Sequence, residues 1–155
     1  MVESHELSAA ECERLLRGGI VGRVGLTSPS GQHIVMVNYS VVGDAVVFRT
    51  AAGSVLGRHV DGRDLAFEID HVDYGDQRGW SVVAKGVGAV VADPAELERI
   101  RRHWPPRPWA SGDRSMIVAL EWTELSGRRL GEGWTDRDLP VRRVLAAEQA
   151  ETARS

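Results

Sequence analysis

The sequence predicts a mainly β domain, an antiparallel barrel with a few short helices, and three observations carry that expectation. Short runs rich in β-branched residues, broken by glycine and polar turns, fill the middle of the chain. The connectors Ser28-Pro29-Ser30-Gly31 and Val42-Gly43-Asp44 are short enough to join antiparallel neighbours. No strand–helix–strand alternation appears, which argues against a doubly wound parallel sheet. With 155 residues, 43% of them hydrophobic, residues 1–155 are expected to build one core and form a single domain.

The first predicted element is a helix. Ser8 stands as its N-cap, Glu11 three residues later closes a capping box, and Leu7 is placed to staple onto Cys12. Cys12, Leu15 and Leu16 form its apolar stripe, and Gly18-Gly19 ends it. Strands are expected over Val21 to Thr27, His33 to Val41, Ala45 to Thr50, Asp64 to His71, Trp80 to Ala92 and Met116 to Thr123. A short helix should follow Gly53-Ser54. Leu65, Phe67 and Ile69 alternate with Ala66, Glu68 and Asp70, the pattern of a strand with one dry face. In Trp80 to Ala92, by contrast, Val82, Ala84 and Val90 share one face while Val83, Val87 and Val91 share the other. A strand apolar on both sides needs cover outside the barrel, from a helix or a second subunit. Asp93-Pro94-Ala95-Glu96 repeats the helix-start chemistry and sets Leu97, Ile100 and Trp104 on one face before Pro105-Pro106. The tail beyond Pro140 has few large apolar residues to dock with.

Charge and cysteine content exclude several classes of function. A net charge of −3 gives no global attraction to nucleic acid. Cys12 is the only cysteine, so disulfides, CxxC redox pairs and cysteine-rich zinc sites are ruled out within the chain, and a cytoplasmic location is expected. The polar start and the lack of any apolar run of spanning length predict no secretion signal and no membrane helix. The histidines show no metal-ligand spacing, and no metal is expected. Glu68 and Asp70 read better as a solvated barrel wall than as a glycosidase pair. Gly79-Trp80-Ser81-Val82-Val83 lacks the second glycine of a nucleophile elbow, and Gly86-Val87-Gly88 fails the dinucleotide fingerprint at its last glycine.

The segment Phe48 to His59 carries more chemistry. Arg49 and Thr50 end a strand, and Gly53 and Ser54 open a short helix. Arginine makes bidentate charge-assisted bonds, hydroxyls donate, and free amides at a helix start favour an anion, so this is a candidate phosphate site. Equally open is a surface arginine followed by an ordinary turn. Trp80 and Trp109 lie beside glycine or proline, where an indole either stacks on a planar ring or packs against core or subunit. Arg128 and Arg129 read as cations that follow the last strand.

Taken in order, Gly22-Arg23-Val24, Val37-Asn38-Tyr39, Phe48-Arg49-Thr50 with Gly53-Ser54, Phe67-Glu68-Ile69-Asp70, Gly79-Trp80-Ser81-Val82-Val83 with Gly86, Pro108-Trp109-Ala110 and Ser126-Gly127-Arg128-Arg129 resemble the actinobacterial branch of the pyridoxamine 5′-phosphate oxidase family. The resemblance spans about Leu7 to Leu130, leaving residues 131–155 as a C-terminal extension. It implies a split β-barrel that forms a homodimer and holds FMN, or alternatively an 8-hydroxy-5-deazaflavin coenzyme, between subunits. Arg49, Thr50 and Ser54 would hold the cofactor phosphate, Val37, Asn38 and Tyr39 would lie along its ring, and Trp80 and Trp109 are further candidate contacts. Relatives often carry a lysine directly after the serine; Val55 stands there, and Arg58 offers a cation one turn on. The implied activity is flavin-dependent oxidoreduction of a small organic substrate. A flavin-storing protein without turnover and a ligand-free dimeric scaffold are the alternatives of other classes.

Overall fold

The computed structural model describes residues 4–103 and 112–133, and the expectations placed on Trp104, Pro105-Pro106, Trp109 and the tail lie outside these described residues. In chain order the elements are β1 (Ser4–Glu6), α1 (Ala9–Gly18), β2 (Val21–Ser28), β3 (Gly31–Val42), β4 (Ala45–Thr50), α2 (Val55–His59), β5 (Asp64–Asp73), β6 (Arg78–Val90), α3 (Pro94–His103) and β7 (Met116–Leu130).

All seven strands join one antiparallel sheet in the order β1-β7-β4-β3-β2-β5-β6, and an additional β7–β6 pairing closes it into a barrel. Closure removes the open edges that an antiparallel sheet would otherwise expose. The hairpins follow from their turns: Gly43 adopts φ +60° between β3 and β4, a left-handed conformation that a side chain would strain. The barrel interior is filled by alternate residues of each strand, among them Val24, Tyr39, Phe48, Phe67, Val82, Val118 and Leu120. Tyr39 and Phe67 meet edge to face with ring centroids 4.7 Å apart.

Helix α1 closes over the barrel through Cys12, Leu15 and Leu16, and the Ser8–Glu11 capping box forms as the sequence predicts. The Tyr39 hydroxyl donates to the Leu16 carbonyl and ties the helix to β3. A second, smaller cluster forms on the outer face, where Ile100 of α3 packs against Val42, Val47 and Ile117, with Leu97 and Val91 beside them. Part of the cover that the two-sided apolar pattern calls for is therefore this helix.

Several boundaries depart from expectation, most of all those of the last two strands. Strand β6 starts at Arg78 and ends at Val90 rather than running from Trp80 to Ala92. Strand β7 continues to Leu130 instead of stopping at Thr123, because a bulge shifts the β6–β7 register between Lys85 and Gly86, and Lys85 pairs with Glu124 while Gly86 pairs with Trp122. Arg128 and Arg129 therefore lie within the last strand, paired with Ser81 and Trp80, not after it. The short β1, unmarked by any apolar pattern, pairs with this same stretch of β7.

Candidate functional site

Strand β4 carries the predicted phosphate segment, and alternation along it separates the two residues expected to act together. Tyr39 and Phe48 are register partners and both face the interior. Their neighbours Asn38 and Arg49 therefore share the outer face, whereas Thr50 turns inward and is buried. Arg49 is half-buried, and its Nε lies out of solvent with no hydrogen-bond partner among the described residues. No ion pair among the described residues involves it either, unlike Arg23, which bridges Glu68 at 2.9 Å and Asp70 at 3.3 Å. A buried guanidinium nitrogen that donates to nothing costs about 1–3 kcal/mol, so the outer face at Arg49 is short of an acceptor.

The two hydroxyls are engaged elsewhere. Thr50 Oγ1 and Ser54 Oγ lie 2.8 Å apart; Ser54 Oγ donates to the Ala51 carbonyl at 2.7 Å and accepts from the Gly57 amide at 3.0 Å. Ser54 thus serves as the N-cap of α2, a helix of 5 residues, and with Thr50 pins the turn that follows β4. Arg58 is exposed on α2. The structure joins Thr50 to Ser54 and sets the Arg49 side chain on the other face of the strand.

A similar division runs through the predicted ring-lining strand. Val37 and Tyr39 are core residues, so of the three only Asn38 presents its side chain on the face of Arg49. Trp80 is also a core residue, 5% exposed, with its ring 6.3 Å from that of His71. Its Nε1 is buried and has no partner among the described residues. It packs in the core and also borders a pocket lined by Asp70, Val72 and Arg128. Trp109 lies outside the described residues.

Sequence reasoning passed over Ser40, a fully buried residue of β3 on the outer face whose hydroxyl has no partner among the described residues. No signal marks it, because its burial depends on α3 lying across β3 and β4. The pair Glu68 and Asp70 is a barrel wall held by Arg23, as its bland reading has it. Burial, then the neighbouring charge of Asp70, pushes the Glu68 carboxyl above its usual range.

Comparison with known proteins agrees with this architecture. The sequence profile of the family described as pyridoxamine 5′-phosphate oxidase matches residues 8–129. The uncharacterized protein Rv0080 of Mycobacterium tuberculosis is 35% identical over 130 residues, covering 81% of this chain and 84% of that protein. Among solved structures, an FAD binding protein from Mycobacterium smegmatis superposes with a TM-score of 0.69 at 32% identity, covering 82% of this chain and 98% of its own. A conserved protein of unknown function from Corynebacterium diphtheriae gives a TM-score of 0.68 at 27% identity, covering 81% and 96%. The closed antiparallel sheet is thus the split barrel of these neighbours, and the chain belongs to the pyridoxamine 5′-phosphate oxidase family.

Proposed function

We propose that this chain is a flavin-dependent oxidoreductase that binds FMN through its phosphate at Arg49, at the interface of a homodimer, and acts on a small organic substrate. The observation that carries the reading is Arg49 itself, a half-buried arginine on the outer face of the barrel beside Asn38, with an Nε that has no partner among the described residues. A dianionic phosphate supplies the acceptors such a guanidinium lacks, and arginine suits it because its planar fork engages two oxygens at once. The bound flavin supplies the electron transfer; the chain supplies grip, orientation and polar contacts to the ring. Exposed Ile34 and Met36 continue the outer face of β3 away from Asn38 and offer apolar surface to a ring or a second subunit.

FAD is a second reading, supported by the Mycobacterium smegmatis relative, whose name states that it binds FAD. Both dinucleotide and mononucleotide present a phosphate to the same arginine. The test is to purify the protein from an overexpressing culture and record its absorption spectrum and the mass of any ligand released by heat. A yellow preparation releasing FMN is the expected result, and release of FAD selects the second reading. A preparation that stays colourless after incubation with FMN and FAD contradicts both.

A further inference from the structure

Where the end of β5 and the start of β6 meet the end of β7 and the short β1, the barrel carries a pocket of about 380 Å³, within the size range of small-molecule sites. Strand register fixes its lining. Asp70, Ser81 and Arg128 stand opposite one another on three adjacent strands, and Val72, Gly79, Leu130 and Ser4 form the next row on four. The core residue Trp80 lies between Gly79 and Ser81 and backs the pocket. One row is therefore polar and charged at both ends. The other is mainly apolar, with Val72 and Leu130, 49% and 47% exposed, on either side of a residue without a side chain.

The two ends of the polar row carry opposite charges that the chain's own pairing leaves over. On the β5 side, Glu68 and Asp70 share the single guanidinium of Arg23, at 2.9 and 3.3 Å, so that one negative charge is in excess. On the β7 side, Arg128 makes no ion pair among the described residues, although Glu6 is its register partner on β1. Two strand spacings hold the Asp70 and Arg128 backbones about 10 Å apart, and no ion pair joins their side chains. The pocket thus offers an acid and a base on opposite flanks of one serine, beside an apolar row.

We propose that this pocket binds an α-amino acid with an apolar side chain, its carboxylate taken by Arg128, its ammonium by Asp70, and its side chain lying on Gly79 between Val72 and Leu130. A ligand with one charge would leave one end of the polar row unanswered, and an uncharged ligand would leave both. Guanidinium engages a carboxylate through two parallel bonds, and the Ser81 hydroxyl serves either group as donor or acceptor. The apolar walls take the side chain out of water. The site is separate from the phosphate position, since Arg49 pairs with Ile117, eleven residues before Arg128 on β7, about 36 Å at the rise of a strand. It is also separate from the bare apolar face, since Val87 lies six residues beyond Ser81 on β6, about 20 Å along that strand.

The test is isothermal titration calorimetry of the full chain without added flavin, with L-phenylalanine as the probe. Phenethylamine and 3-phenylpropionate, each lacking one of its charged groups, are the counterparts. Saturable binding of L-phenylalanine is expected, at least about tenfold tighter than that of either counterpart. Arg128→Met should abolish the preference over phenethylamine, and Asp70→Asn the preference over 3-phenylpropionate, while circular dichroism stays unchanged. Failure of L-phenylalanine to bind, equal binding of the three compounds, or preferences that survive both substitutions overturns the proposal. So does a dimer in sedimentation that Arg128→Met dissociates, because a second copy would then fill the pocket. None of these outcomes bears on the flavin reading, which is tested at Arg49.

Discussion

At the scale of single residues, the fold depends on buried groups whose partners lie far away in sequence. The Tyr39 hydroxyl donates to Leu16 across 23 positions, so Tyr39→Phe leaves a buried carbonyl short of a donor. The expected loss is about 1 kcal/mol by chemical denaturation, with flavin binding unchanged, because the hydroxyl sits in the core rather than on the outer face. Gly22 is held to glycine by Phe67, whose ring occupies the place a Cβ would take. Gly22→Ala should destabilise the domain by roughly 1–3 kcal/mol, read as a lower thermal midpoint, through overpacking. Arg49 was legible from its type and its place at a strand end. Its face was not, because Val46, Val47 and Phe48 are all buried and conceal the alternation of β4. That masking arises from α3, which covers the outer side of the same strand.

At the scale of elements, what was legible is local chemistry. Ser8 and Glu11 announce α1, and Asp93 accepts from the Glu96 amide at the start of α3 as its spacing predicts. Hydrogen bonds from the Ser8 backbone and then its hydroxyl hold the Glu11 carboxyl below its ordinary range. A carboxyl depressed in the folded state adds stability above its unfolded value and loses it as pH falls through the folded one. Thermal midpoints measured between about pH 3 and 6 should therefore show a shallower acid limb for Glu11→Gln than for the natural chain. Ser8→Ala should cost about 1 kcal/mol at neutral pH. The second half of β7 escaped notice because the bulge at Thr123 reverses its parity: Leu120 and Trp122 belong to the core layer before it, Leu125 after it. A single pattern read through Thr123 loses phase there. Strand β1 has only three exposed polar residues, and its pairing is dictated by β7.

At the scale of the whole molecule, one closed sheet, a helix over one end and a helix on the outer wall leave the outer face partly bare. Ile34 and Met36, 79% and 69% exposed, and Val87 are large apolar residues without cover among the described residues. A second copy of the chain is the proposed cover for Met36, and sedimentation should report a dimer that Met36→Glu dissociates; a monomer at every concentration would contradict it. The family and the barrel were legible because many weak fragments occur in one order. The shape of the site was not, since it depends on which face each fragment takes and on surface beyond one chain.

The central claim is that Arg49 holds the phosphate of a flavin. Its most direct test is a titration of FMN with the natural chain and with Arg49→Ala, followed by quenching of flavin fluorescence and paired with a thermal melt of each protein. Saturable binding that weakens at least about tenfold in the variant, at an unchanged melting temperature, is the predicted result. Equal affinity in the two proteins would contradict it.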